Sequence, residues 1–459
     1  MPNRALFIGV GGSGGATLHH LYKDLEAQLR VLGWDKGVPA GWQFLHIDVP
    51  SSSEPPTASR AIPAILRDHE HYLPLTTMGA DYLEYAKTIL HQPTIAGGWL
   101  PGRSVGQKLV YDGAGQNRAI GRVLALNNLA EIDERINALI SASESADAQS
   151  EMRSLNQVLN DNRAIGNRLD TWLISSISGG TGSGTYLDVS AVLQAISAGA
   201  PKDDVRKLLN AHNAVLYTPD TFGGLSDDER AAVVPNAMAA ISELLNARTS
   251  MDEDEPSAAE RIVLELMNRP LETERPLAPA QVFLQGSSNG TTKLSTPDQV
   301  YRSTARCLAQ HLLNSEINSN FMSYAINNQQ PLRRVDELTA LSLREQNELV
   351  LFPVSAFGYA SLSLGRKYFA EFGARRLAKL VIRVFEESDD AVVRLKKTQQ
   401  FDQALVKFLD ELDISENQIT ENLEIDYDKR FDRERSGRKG EQERPSADKI
   451  IDDMIKRLT

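Results

Sequence analysis

Short apolar runs recur along the chain, each followed by turn residues and then by apolar positions spaced three and four apart. ALFIGV (5–10), WQFLHID (42–48), TWLISSIS (171–178), AVLYT (214–218) and QVFLQG (281–286) have the length and composition of buried strands. Between them, ATLHHLYKDLEAQLRVL, RVLALNNLAEIDERINALI, YLDVSAVLQAIS and VVPNAMAAISELLN carry the period of amphipathic helices. This alternation predicts an α/β fold, a parallel sheet with helices on both faces and ligands at the carboxyl ends of its strands.

The interruptions predict the organisation around that sheet. Residues 49–106, with SSSEPPTAS and several prolines and glycines, read as a long insertion, and SASESADAQSE (141–151) and TSMDEDEPSAAE (249–260) read as polar loops. From Pro297, PDQVYRSTARCLAQHLLNSEINSNFMSYAI reads as one long helix, followed by a strand in LVLFPVSAFGYASLSL and a helix in KYFAEFGARRLAKLVIRVFEE. DYDKRFDRERSGRKGEQERPSADK (426–449) is a charged linker without a core, and KIIDDMIKRLT is a short amphipathic end. The expected layout is an α/β domain over residues 1–296, a central helix and following loop over 297–328, a smaller second α/β domain over 329–425, and the linker with its C-terminal helix over 426–459.

Composition narrows the function. With 459 residues, 41% of them hydrophobic, the chain can bury a large core in two or three domains. A formal charge of −12 and the lack of a long basic block argue against nucleic acid as the partner. Cys307 is the only cysteine, which leaves no intramolecular disulfide and no thiolate metal site. MPNRALFIGV enters a strand directly and no apolar run reaches membrane-spanning length, so a cytoplasmic location and no membrane span are expected.

Three glycine-rich stretches carry the candidate chemistry. Gly9, Gly11 and Gly14 form G-x-G-x-x-G between a strand and a helix, the context of a dinucleotide site, with Asp48 placed to take ribose hydroxyls. An NAD(P)-dependent oxidoreductase is therefore one reading, and a structural tight turn is another. Gly11 to Gly15 also fits the G-x-S-x-G nucleophile elbow, but no histidine or aspartate is placed to complete a triad, and no P-loop motif occurs. The second stretch, Gly179-Gly180-Thr181-Gly182-Ser183-Gly184-Thr185, combines close backbone approach with two hydroxyls. It needs no metal-ligating side chain if Mg²⁺ rides on phosphates. The third, DGAGQNRAIGR (112–122), is a Gly-Ala-Gly turn followed by Asn117 and a helix start. Three such loops can surround a triphosphate, whereas a dinucleotide needs only one.

In this order, Gly9 to Gly15, Gly113 to Arg122, and Ser178 to Gly184 resemble the three phosphate loops of the tubulin/FtsZ superfamily, with Ser178 in place of the first glycine of GGGTGSG. YTPDTFGG (217–224) is similar to that family's sugar-side loop, and SAFGYAS (355–361) looks like its divergent bacterial tubulin-like members. The resemblance implies GTP or GDP with Mg²⁺, the phosphates lying on Gly11, Gly12, Ser13, Gly14, Ala114, Gly115, Asn117, Gly179, Gly180, Thr181, Gly182 and Ser183. Asn289 and Gln299 are the implied nucleoside contacts, while Ala16 stands where division proteins usually carry Asn.

It further implies head-to-tail filaments or oligomers, in which acidic residues after the central helix complete the neighbour's site. The matching stretch here is Ile317 to Ser323, with Asn320 and Ser323 where the carboxylates belong and Glu316 as the nearest acid. Neither Asn320 nor Ser323 can accept a proton from water, so hydrolysis is expected to be weak or absent.

Other features read as ordinary surface or packing. His69-Glu70-His71 has the wrong spacing for two imidazoles on one helix face, and His19-His20 read as packing and surface. The sequon Asn289-Gly290-Thr291 needs a secretory route. Ile450, Ile451, Met454, Ile455 and Leu458 can dock on a protein partner as an amphipathic helix, which allows a third reading, a nucleotide-dependent adaptor that never polymerises.

Overall fold

The computed structural model describes residues 3–53, 62–77, 82, 85–86, 113–159, 168–225, 230–249, 258–269, 278–328, 354–359 and 376. The chain divides into two compact units, Met1–Tyr359 and Ala360–Thr459, and all but one of the described residues belong to the first. The expected charged linker and C-terminal helix, and most of the expected second domain, lie outside the described residues.

Among the described residues, seven parallel strands form one sheet in the order β3-β2-β1-β4-β5-β6-β7. They are β1 (Arg4–Val10), β2 (Trp42–Asp48), β3 (Tyr72–Pro74), β4 (Leu169–Ser176), β5 (Asn213–Tyr217), β6 (Gln281–Gln285) and β7 (Val354–Ser355). The described helices are α1 (Gly11–Val31), α2 (Arg118–Asn127), α3 (Leu129–Ser143), α4 (Ala146–Val158), α5 (Gly180–Gly199), α6 (Val233–Thr249), α7 (Ala258–Leu266), α8 (Pro297–Leu313) and α9 (Ser315–Asn328). None of them is long and apolar enough to cross a membrane.

Strand periodicity splits the core in two. Leu6, Ile8 and Val10 of β1 pack into one cluster with Ile120, Ile136, Tyr186, Val189 and Leu244 of α2, α3, α5 and α6. Ala5 and Phe7 point to the other face and pack with Leu18, Leu21 and Leu25 of α1 and Ala305, Leu308 and Leu312 of α8. Burial on both faces is why these strands read as continuous apolar runs rather than alternating ones.

The structure departs from the sequence reading at five places. The insertion after β2 contributes the short strand β3, which pairs with His46 to Asp48. The helix expected across RVLALNNLAEIDERINALI is two helices, with Asn128 at φ −112° and ψ 15° between them and its amide bonded to Leu75 O and Leu124 O. The polar run 141–151 is largely helical, because Ser145 accepts from the Ala148 N–H and starts α4.

The long helix after Pro297 is also two helices. Asn314 leaves the helical region at φ −114° and ψ 112°, and its Oδ1 accepts from the N–H groups of Glu316 and Ile317 to start α9. Val354–Ser355, from the run expected in the smaller domain, pairs with β6 at the edge of this same sheet.

Candidate functional site

The order of the sheet puts β1 beside β4, so the segments leaving their carboxyl ends are neighbours. Both segments turn at once into helices, and the glycines form the first turns. α1 starts at Gly11 with Val10 as N-cap, and α5 starts at Gly180 with Gly179 as N-cap; neither cap residue bonds a first-turn N–H with its side chain. Two adjacent helices thus present uncapped N–H groups and the positive ends of their dipoles at the same rim. Such an arrangement suits an anion.

Close contact between glycines brings the three loops together. A Cβ on Gly11, which holds φ +73°, would stand 3.0 Å from the Gly182 nitrogen, so the first loop rests on the second. A Cβ on Gly180 would stand 2.8 Å from the Asn117 nitrogen and 2.9 Å from the Ala114 Cβ, so the second rests on the third. Asn117 caps α2 by accepting from the Ala119 and Ile120 N–H groups. Gly12 and Gly115 are exposed, while Ser13, Asn117 and Gly179 are half-buried. These residues line the rim.

Other expected contacts face inward. A Cβ on Gly14 would lie 2.4 Å from the Ile174 carbonyl oxygen, so this glycine serves helix–sheet packing. Ser183 is buried and its hydroxyl donates to the Gly179 carbonyl. Thr181, Gly182 and Ala114 are buried where the loops touch one another, as Gly11 and Gly180 are.

Charged groups lock the loops from behind. Arg118 of α2 makes a two-pronged pair with Glu243 of α6 at 2.8 and 2.5 Å and also donates to the Ser183 carbonyl. One turn on, Arg122 pairs with Asp188 of α5 at 3.1 Å, both side chains almost fully buried. Burial pushes the Asp188 carboxyl up to about 6 despite the opposing effect of Arg122.

A family model described as "Tubulin like" matches residues 6–383. The chain belongs to this tubulin-like family. Among solved structures, CetZ2 from Haloferax volcanii, described as a GTPgS-bound protofilament, is 14% identical, with 68% of this chain and 59% of that chain covered and a TM-score of 0.30. TubZ of Clostridium botulinum phage c-st is 11% identical, with 69% of this chain and 61% of that one covered and a TM-score of 0.29. This chain therefore spans less than two-thirds of either. No curated protein matches it.

The tubulin-like chain shares its strand order with dinucleotide-binding folds, so sheet topology alone does not separate the two readings. Asp48 does bear on them. It is buried, its Oδ1 accepts from the Val49 N–H, and its Oδ2 lies 3.7 Å from His46 Nε2. A carboxylate spent inside the fold is poorly placed for ribose. His46 itself packs under the first loop, its Nε2 3.3 Å from the Gly11 carbonyl oxygen, which it can meet as a donor in the Nε2–H tautomer. Among the described residues no group of three His, Cys, Asp or Glu side chains could hold a metal; His71, from the His-Glu-His run, bonds Asp68 instead.

Next to the first loop a hydroxyl cluster ties α1 to β5 and α8. Ser13 Oγ lies 3.0 Å from Tyr301 OH, Thr17 Oγ1 lies 2.6 Å from Tyr217 OH, and the two tyrosine rings meet edge to face. Burial raises the Tyr217 phenol well above its ordinary range, although Thr17 and Thr304 oppose it, so this phenol stays neutral. After β5, Asp220 accepts from the backbone and hydroxyl of Ser287 at 2.6 and 2.8 Å. Burial would raise its pKa, but the bonds from Thr218 and Ser287 prevail and hold it below the usual carboxylate value.

The two expected nucleoside contacts are both engaged locally. Asn289 is exposed, and its Oδ1 accepts from Thr291 and Thr292 in a tight turn. Gln299 Oε1 accepts from the backbone and hydroxyl of Ser295, while Thr296 Oγ1 accepts from the Gln299 N–H. This is a variant of the capping box at the start of α8, and the signal was legible in Thr296-Pro297-Asp298-Gln299.

Ile317 to Ser323, the stretch matched by resemblance to the segment after the central helix, lies within α9. Phe321 packs against Trp172, Phe283 and His311, and Asn318 donates to the His311 carbonyl. Glu316, Asn320 and Ser323 are exposed. The anchor at His311 adjoins Asp170, at the amino end of β4, so the structure does not bring these three residues to the rim formed by the carboxyl ends of the strands.

Proposed function

We propose that this chain binds GTP or GDP with Mg²⁺ on the phosphates, and assembles head to tail into filaments or oligomers with weak or absent hydrolysis. The observation that carries the reading is the convergence of two uncapped helix N-termini and a Gly-Ala-Gly turn on one rim, with Gly11 against Gly182 and Gly180 against Ala114. The residues suit a polyphosphate: their donors are backbone N–H groups, and side chains at the contact positions would collide with neighbouring loops.

In this reading Gly11, Gly12, Ser13, Ala114, Gly115, Asn117, Gly179, Gly180 and Thr181 surround the phosphates. Asp220, Ser287, Asn289 and Gln299 lie toward the nucleoside. The nucleotide domain takes in residues 1–296 and the edge strand β7, with a smaller domain further along the chain. Because Asn320 and Ser323 supply no base, an assembled site would position water without taking its proton. The placement of the rim and α9 at opposite ends of the strands supports head-to-tail assembly, since a contact between them would be heterologous and would build a ring or a filament.

Sedimentation of the full chain with Mg²⁺ and GTP, GDP or no nucleotide, with phosphate release followed in the same tubes, tests this. Pelleting with GTP and little released phosphate is the expected result. A chain that stays soluble with every nucleotide would remove the assembly claim, and rapid phosphate release would remove the claim of weak hydrolysis.

A further inference from the structure

Asn236 of α6 belongs to no motif recognised in the sequence, yet it touches two of the three glycine loops. It is 7% exposed. Its Nδ2 donates to the Gln116 carbonyl at 2.9 Å and to the Ser178 carbonyl at 3.1 Å. One amide nitrogen thus uses its two hydrogens on backbone atoms of the third loop and the second.

Each of those carbonyls governs a peptide at the rim. In a trans peptide the C=O and the following N–H point in opposite directions. Drawing the Ser178 carbonyl toward α6 therefore turns the Gly179 N–H to the other side. An added Cβ at Gly179 would meet nothing within 4 Å, so the N-cap position of α5 leaves room beside the loop for a ligand. In the third loop, Gln116 holds φ 64°, a left-handed conformation that a residue with a side chain keeps only where its surroundings impose it. Asn236 imposes it from one side, and the Asn117 N–H, bonded to the Ala114 carbonyl at 3.1 Å, closes the turn from the other.

We propose that Asn236 is a positioning residue of the phosphate site, a clamp on two carbonyls that sets the third loop against the second and aims the Gly179 N–H at the ligand. The clamp rests on the reading of this rim as a polyphosphate site. The chemistry selects a short primary amide. Asp has no donor, Ser has one, and Leu matches the shape without any.

The test uses the full chain, with Mg²⁺–GTP and inorganic triphosphate titrated calorimetrically into the wild type, Asn236→Asp and Asn236→Leu. The expected result is that melting without ligand stays within a few degrees, while affinity for both ligands falls by about tenfold or more and by the same factor, because the clamp acts on the phosphate side. Loss of affinity for GTP alone would overturn the clamp, since the effect would then lie with the nucleoside. Unchanged affinities in folded variants would overturn it as well, and if neither variant folds, Asn236 is a residue of the fold and not of the site. A wild type that binds neither ligand would instead overturn the reading of the rim itself.

Discussion

Gly121 of α2 lies so close to Gly180 of α5 that a Cβ on Gly121 would stand 2.6 Å from the Gly180 carbonyl oxygen. The two helices approach through this gap, and the third loop is carried against the second. Gly121→Ala forces the backbones apart and is expected to destabilise the fold by about 1–3 kcal/mol, the usual cost of overpacking. Gly179→Ala should behave differently. Its φ of −81° suits alanine and its Cβ would enter open space, so stability should stay within about 0.5 kcal/mol while triphosphate affinity drops. Urea unfolding and ligand titration of the two variants separate packing from binding.

The buried Arg122–Asp188 pair sets a pH-dependent term. Because Asp188 titrates near 6 in the fold, above its ordinary value, its contribution to stability is fully present below the unfolded pKa and is lost as pH rises through about 6. At pH 7 the pair is ionised, and Asp188→Asn strands Arg122, at a cost of about 3–5 kcal/mol. At pH 5 the wild-type carboxyl is itself mostly neutral. The wild type therefore gains stability from pH 7 to pH 5 through this group and the variant does not, so the difference between them should widen toward acid, read as urea midpoints at the two pH values; a difference that shrinks toward acid would contradict the assigned direction.

Gln299 offers a test of local structure. Gln299→Ala removes the acceptor for Ser295 and should cost about 1 kcal/mol, whereas Gln299→Glu keeps an acceptor and adds a favourable charge at the N-terminus of α8. Equal losses in both variants, measured by urea unfolding, would show that the cap is not what the side chain contributes.

Ser13 and Tyr301 join the first loop to α8 through a single 3.0 Å hydrogen bond. A double-mutant cycle with Ser13→Ala and Tyr301→Phe should return a coupling of about 0.5–1.5 kcal/mol in unfolding free energy. A coupling near zero would mean that the hydroxyls are neighbours without an interaction.

Much of this arrangement was legible in the sequence because it follows from local rules. Five of the strands declare themselves as apolar runs buried on both faces, and the glycine loops stand where topology places a ligand. The short strand β3 was hidden, since three residues inside a Pro- and Gly-containing stretch carry no period. The breaks at Asn128 and Asn314 were missed because the apolar spacing runs through both, and only the asparagine amide ends one helix or begins the next. In the site, Gly14 and Ser183 belong to the motifs but face inward, while Asn236 and His46 support the loops from elements far away in sequence. Motif spacing identifies the loop; tertiary packing decides which of its atoms meet the ligand.

The central claim is that three loops form a nucleoside triphosphate site, and thermal melting of the full chain with Mg²⁺–GTP and with NAD in parallel tests it most directly. A ligand that binds only the native state at 100 times its dissociation constant adds about 2.7 kcal/mol, which a melting curve resolves. The account predicts a rise in melting temperature with Mg²⁺–GTP and none with NAD. A rise with NAD and none with GTP would contradict it and return the first loop to a dinucleotide.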